Sequence, residues 1–101
     1  MSKVYGYCRV AFASKKSMEE QLKLVDDYCN QNGLKVDKHF CDNGVSGLTT
    51  DREGLNALFD VLKSGDVVVV RDIARISRNT SKCINIVEKM QKHGVVLKFI
   101  N

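Results

Sequence analysis

Four consecutive valines, Val67–Val70, constrain the fold of this 101-residue chain more than any other segment. A short unbroken run of β-branched residues is typical of a central parallel strand covered on both faces. Three further segments rich in β-forming residues, 3–10, 34–41 and 95–100, alternate with segments of helical apolar spacing. The sequence therefore predicts one α/β domain over residues 1–101. We expect a three-layer sandwich, with a mostly parallel sheet and helices on both faces, in the order β-α-β-α-β-α-β.

Capping and stop signals predict where the three helices begin and end. The first should open at a capping box that begins with Ser17 and should stop at Gly33. Asp51 is the predicted cap of the second helix, and Asn79 or Thr80 that of the third. Lys and Asp alternate with apolar residues in the second strand segment, 34–41, which predicts that this strand lies near a sheet edge. Apolar spacing predicts that the third helix turns three residues inward: Ile84, Val87 and Met90.

Composition excludes several classes of protein. The chain is 44% hydrophobic and 28% charged, and it carries a formal net charge of +4, which is compatible with nucleic-acid binding. No apolar run approaches the ~20 residues that a membrane-spanning helix needs. We find no export signal and expect a cytoplasmic protein. The cysteines form no CxxC pair, so we expect no metal site and reduced, buried, structural thiols: Cys8, Cys29, Cys41 and Cys83.

Arginines mark the predicted functional edge of the sheet. Arg9, Arg52, Arg75 and Arg78 each follow an apolar strand-like run or lie in the loop after one. In an open α/β sheet those positions share the edge formed by the carboxyl ends of the strands, where ligands bind. Converging guanidiniums would form a phosphate site, because arginine keeps its charge and donates in a planar fork. The alternative for Arg9 is a solvated arginine that pairs with a carboxylate at a strand end.

Three other polar residues near this edge have two interpretations each. Asp72 could be an internal counter-ion or could orient a guanidinium. Asp42, after the second strand, could cap its loop or act as a second orienting acid. Ser46 lies between two glycines of a loop that could approach a ligand closely, and a turn-forming serine is the alternative.

Four ordered motifs resemble those of the serine recombinases, the resolvases and invertases. Residues 7–11 read YCRVA and resemble the family's Y-x-R-V-S, and residues 17–21 read SMEEQ and resemble S-L-E-x-Q. Residues 42–47 and 51–55 read DNGVSG and DREGL and resemble D-x-x-x-S-G followed by D-R-x-G-L. Residues 73–79 read IARISRN and resemble L-D-R-L-S-R-N.

The resemblance implies site-specific cleavage and rejoining of DNA without a metal or a cofactor. A family serine attacks the scissile phosphodiester and leaves a 5′-phosphoserine link and a free 3′-hydroxyl. By position, the residues expected to contact that phosphate are Arg9, Arg75 and Arg78. The expected substrate-binding set is Gln21, Asp42, Ser46, Arg52 and Asp72.

Two positions depart from the family motifs. Ala11 stands where the family has its nucleophilic serine, so we expect this chain not to cleave DNA. Ala74 stands where the family has the acid of L-D-R, and Asp72 could partly substitute for it. Ser14 is a less favoured alternative nucleophile.

The resemblance also implies what the whole protein would contain. Family members continue after the last strand into a dimerisation helix and a DNA-binding region, so we expect this domain to belong to a longer protein. That protein would act on DNA as a dimer that pairs into a tetramer, with no membrane partner and no small-molecule cofactor. The alternative is a catalytically inert module of the same fold that binds DNA or a partner recombinase.

Overall fold

The computed structural model describes residues 2–10, 12–44, 53–72, 75 and 80–100. Four strands form one sheet: β1 (Val4–Val10), β2 (Lys38–Asn43), β3 (Val67–Val70) and β4 (Val96–Phe99). Three helices are described between them: α1 (Lys15–Gln31), α2 (Glu53–Val61) and α3 (Thr80–Lys92). Among these residues, no helix is both long enough and apolar enough to cross a membrane.

The sheet has the strand order β2-β1-β3-β4, and every neighbouring pair is parallel. The valine run forms an interior strand, as its composition predicted, and Val68, Val69 and Val70 are fully buried. The second strand lies at an edge, which confirms the prediction made from its Lys and Asp residues. Its bounds differ from the predicted 34–41, because the register with β1 begins with Lys38 opposite Tyr5 and continues to Asn43 opposite Val10.

Helices cover both faces of the sheet, so the predicted three-layer arrangement is confirmed. Alternate residues of β1 point to opposite faces of the sheet and belong to two separate hydrophobic cores. Val4 and Cys8 belong to the core under α1, which includes Met18, Val25 and Cys29 from that helix. Tyr5 and Tyr7 belong to the core on the other face, which Leu55 and Leu58 of α2 and Cys83, Ile86 and Met90 of α3 complete.

The first helix begins earlier than the capping box predicted. Ser14 is the N-cap, and its side-chain oxygen accepts a hydrogen bond from the backbone N–H of Ser17 at 3.2 Å. Ser17 therefore lies in the first turn, since a serine three residues upstream already binds its amide. Gly33 ends the helix as predicted, with φ of 69° and with the Leu34 N–H donating to the carbonyl of Cys29.

The inward face of α3 differs from the prediction at one position. Met90 is buried and Val87 is partly buried, but Ile84 is 51% exposed, and Cys83 and Ile86 pack inward. Successive helical residues are rotated by about 100°. The inward stripe therefore runs through Cys83 and not through its neighbour Ile84.

Candidate active site

The candidate site lies where the chain leaves β1 and β3, which are adjacent in the sheet. The connection from β1 leads through α1 to β2 on one side, and the connection from β3 leads through α3 to β4 on the other. Such a switch point leaves a crevice at the carboxyl ends of the two strands. Arg9 lies near the end of β1, and Arg71, Asp72 and Arg75 follow β3.

Arg9 is fully buried, so it is not the solvated strand-end residue that was the alternative interpretation. It lies on the same face of β1 as Tyr5 and Tyr7, and Asp42 is its register partner on β2. A guanidinium kept from water is screened little, so its charge acts strongly on nearby groups.

Gln21 of α1 holds the backbone at Arg9. Its amide donates to the carbonyl of Arg9 at 2.8 Å, and its carbonyl oxygen accepts from the N–H of Arg9 at 3.3 Å. The last residue of β3, Val70, is opposite Tyr7, so β1 extends three residues beyond its neighbour. The Gln21 amide thus takes the place of a further residue of β3, and only 3% of Gln21 is exposed.

Arg75 links the segment after β3 to the carboxyl end of β1. Its Nη1 donates to the carbonyl of Arg9 at 2.9 Å, although the two residues are 66 positions apart. Asp72 fixes the direction of this side chain, because its Oδ1 accepts from Arg75 Nε at 3.3 Å. Asp72 also pairs with Arg71 Nε at 3.1 Å, so it is a counter-ion that orients a guanidinium. The side chain of Arg75 retains 14% exposure.

Asp42 lies inside β2, not in the loop after it, and its carboxylate caps α2. Oδ1 accepts from the N–H of Gly54 at 2.7 Å, and Oδ2 accepts from the N–H of Leu55 at 3.0 Å. Oδ2 also accepts from the hydroxyl of Tyr7 at 2.7 Å, and only 4% of Asp42 is exposed. Of its two interpretations, the structure therefore supports capping, but of the helix α2, whose Gly54 lies 12 residues downstream.

Gly54 is required by this close approach of α2 to β2. A Cβ built on it would lie 2.6 Å from the carbonyl oxygen of Cys41 and 2.9 Å from Cγ of Asp42. The roles of Gly54 and Tyr7 were missed by the sequence analysis. The glycine of the DREGL segment, residues 51–55, was the one sequence signal that could have indicated the role of Gly54.

Several predicted site residues lie outside the described part of the chain: Ala11, Ser46, Arg52, Ala74 and Arg78. Ser14, the alternative nucleophile, is the cap of α1. Direct contact of Arg9, Arg75 and Gln21 with a substrate stays a prediction. Within the described ranges, no three His, Cys, Asp or Glu side chains are grouped to hold a metal ion.

The expectation of four buried thiols is wrong at one position. Cys8, Cys29 and Cys83 are buried, but Cys41 is exposed. It lies on β2, the edge strand of the sheet that the described residues form.

A four-stranded parallel sheet with helices on both faces, and with Arg9 and Arg75 joined at the carboxyl ends of two neighbouring strands, defines an α/β domain. Residues 4–101 match the family "Resolvase, N terminal domain", and the chain belongs to this family.

Similar proteins agree with this assignment. The chain is 33% identical over 99 residues to "Transposon Tn3 resolvase" of Escherichia coli, which covers 98% of this chain and 50% of that protein. It is 33% identical over 96 residues to "Resolvase" of Clostridium perfringens, covering 94% of this chain and 47% of that protein. The chain thus spans about half the length of these relatives.

Solved structures show the same fold. The catalytic domain of ISC1926 TnpA, an IS607-like serine recombinase, superimposes with a TM-score of 0.84 at 27% identity, over 98% of this chain and 70% of that one. The N-terminal catalytic domain of TP901-1 integrase gives a TM-score of 0.91 at 24% identity, over 99% of this chain and 79% of that one. The chain is a serine recombinase catalytic domain by family.

Proposed function

We propose that this domain binds a DNA phosphodiester at the carboxyl ends of β1 and β3, and that Ala11 leaves it without the nucleophile to cleave that bond. The hydrogen bond from Arg75 Nη1 to the carbonyl of Arg9 carries the proposal. It joins Arg9, near the end of β1, to Arg75, which follows β3. Only a folded crevice brings residues so distant in sequence together.

The charges suit a phosphodiester. Arg9, Arg75 and Arg78 form the proposed phosphate site, with Arg75 offering exposed surface and Arg9 a charge screened little by water. Gln21 positions the backbone of Arg9, and Asp72 orients the guanidinium of Arg75. Asp42 holds the start of α2 through the amide of Gly54. Ser46 and Arg52 are proposed to complete the pocket. Fixed cations of this kind stabilise the negative charge that grows on phosphorus during displacement.

A serine at position 11 would complete the reaction. Its oxygen would lose its proton and form a bond to phosphorus while the bond from phosphorus to the 3′ oxygen breaks. The 3′ oxygen would take up one proton, which leaves a 5′-phosphoserine and a 3′-hydroxyl. Attack of a 3′-hydroxyl on that phosphoserine would rejoin the strand and release the serine, so no cofactor is consumed. Alanine has no hydroxyl, so this chain would hold the phosphodiester without covalent chemistry.

The whole protein's behaviour is proposed from its relatives. Sequence-specific DNA recognition and assembly into dimers and tetramers would need parts beyond this domain. The domain alone would contact phosphates in a salt-sensitive manner that does not depend on sequence.

The test introduces a serine at position 11. The complete product of the gene, carrying Ala11→Ser, is incubated with a pool of randomised DNA duplexes labelled at the 3′ ends, and covalent adducts are separated on a denaturing gel. We expect labelled DNA bound to the variant and none bound to the parent. Adding Arg75→Ala should lower adduct formation by about 10²-fold or more. Adding Lys92→Ala, which removes a distant exposed cation, should change it little.

Two results would contradict the proposal. An equal adduct with the Ala11 parent would place the nucleophile elsewhere, with Ser14 as the first residue to examine. A folded Ala11→Ser protein that forms no adduct would instead support the inert module of the same fold.

A further inference from the structure

Two cysteines lie side by side on the neighbouring strands β1 and β2. Cys8 of β1 and Cys41 of β2 are register partners in the parallel ladder, so their side chains project from the same face. Cys8 is fully buried in the core under α1, whereas Cys41 is exposed. One thiol is therefore open to a reagent, and the other lies protected beside it.

The spacing of the strands suits a bond between the two sulfurs. Neighbouring strands lie about 4.8 Å apart, and disulfides join residues whose Cα atoms are about 4.4–6.8 Å apart. Exposed disulfides are among those most readily reduced again, and Cys41 is exposed.

The two thiols differ in acidity. A hydrogen bond from Cys8 lowers the pKa of Cys41 to about 7, although partial burial and the charge of Asp42 oppose this. The same contact raises the pKa of Cys8, together with burial and the charges of Cys41 and Asp26, while Arg75 acts in the opposite direction. Burial raises the pKa of both other cysteines, Cys29 and Cys83. Near neutral pH, Cys41 is thus the most nucleophilic of the four thiols.

We propose that Cys41 and Cys8 form a reversible oxidation site, in which a peroxide oxidises Cys41 and Cys8 then closes a disulfide. In the first step the Cys41 thiolate bonds to one peroxide oxygen, the O–O bond breaks, and hydroxide leaves. In the second step the Cys8 sulfur attacks the Cys41 sulfur, the S–O bond breaks, and water leaves with the Cys8 proton. Two thiols are oxidised to one disulfide, and one peroxide is reduced to water. A dithiol reductant reverses the change.

The position of the pair links oxidation to the candidate active site. Cys8 immediately precedes Arg9, and Cys41 immediately precedes Asp42, which caps α2. Drawing the two strands together would move both of these residues. The oxidation site itself rests on the strand register and not on the proposed function, so each can fail alone.

The experiment uses the chain as it is. It is incubated with a small excess of hydrogen peroxide at pH 7, remaining thiols are alkylated, and the intact mass is measured before and after treatment with dithiothreitol. Trypsin places each cysteine in a separate peptide: 4–9, 24–35, 39–52 and 83–89. We expect the loss of two hydrogen atoms and a linked pair of peptides, 4–9 with 39–52, which dithiothreitol separates.

Variants separate the steps. Cys41→Ser, at an exposed position, should abolish the linked pair, and Cys29→Ala should leave it unchanged. Cys8→Ala should stop the reaction at a sulfenic acid on Cys41, which dimedone traps. Without peroxide, alkylation of Cys41 at pH 7 should be about three- to fourfold faster than that of an ordinary exposed thiol, because its larger thiolate fraction outweighs its lower intrinsic nucleophilicity. Its rate should rise with pH and reach half its maximum near pH 7.

Three results would overturn the proposal. The first is addition of two oxygens to Cys41 without any linked pair. The second is a linked pair that joins two chains, seen as a dimer on a non-reducing gel. The third is oxidation of Cys29 or Cys83 as fast as that of Cys41.

Discussion

Replacing the Asp42 carboxylate tests whether one buried side chain holds α2 against the sheet. The carboxylate accepts three hydrogen bonds, from the hydroxyl of Tyr7 and from the amides of Gly54 and Leu55. In Asp42→Asn the side chain keeps its size, but it has one acceptor oxygen in place of two. With that oxygen toward Tyr7 and Leu55, the new NH₂ group faces the N–H of Gly54, donor against donor.

The expected loss of stability follows from the number of hydrogen bonds that the substitution removes or weakens. A hydrogen bond to a charged group contributes about 1.5–3 kcal/mol, and the variant loses one and weakens the other two by removing the charge. We therefore expect the free energy of unfolding to fall by about 3 kcal/mol. For a domain of this size that is a fall in Tm of roughly 12–24 °C.

The matched control is Asp26→Asn. Asp26 pairs with His39 at 2.9 Å, but its side chain is 50% exposed, and exposed pairs contribute less than about 1 kcal/mol. Urea unfolding compares the two variants, and hydrogen exchange should show lost protection at the Gly54 and Leu55 amides of Asp42→Asn alone. If Asp42→Asn unfolds no more easily than Asp26→Asn, the carboxylate does not hold the helix as described.

Two further substitutions test the close contacts under α1. Gln21→Leu removes both hydrogen bonds to the Arg9 backbone, so it should lower the free energy of unfolding, measured in urea, by about 2 kcal/mol. The control is Gln91→Leu at an exposed position. Equal effects of the two substitutions would contradict the role assigned to Gln21. Gly6→Ala places a Cβ 2.6 Å from His39 Nδ1 and 2.9 Å from Val25 Cγ1, which should cost about 1–3 kcal/mol in a thermal melt. The cost should be smaller in a Val25→Ala background, and an equal cost there would place the clash elsewhere.

The elements and their order could be predicted because local patterns fix them. Val67–Val70 have few alternatives to an interior strand, and Gly33 supplies the positive φ that ends α1. The meeting of Arg9 with the segment after β3 was also predictable, because parallel strands place their carboxyl ends at one edge.

The remaining features depend on choices between similar residues. Ser14 and Ser17 are both good caps three positions apart, and the sequence favoured the one followed by a glutamate. Ile84 and Ile86 are equally apolar, so the phase of α3 follows from the sheet beneath it. The long-range hydrogen bonds of Asp42 require the register between strand and helix, which no local pattern contains.

The central position of β1 limits the order in which this chain can fold during synthesis. During synthesis β1 is made before β2 and β3, which flank it in the finished sheet, and Val4 pairs with Val67. Its second edge therefore stays unpaired until β3, which follows about 60 residues later, has been made. Unpaired strand edges with apolar side chains promote association between chains. The nascent domain would thus depend on α1, which follows β1 directly, to cover one face of that strand early.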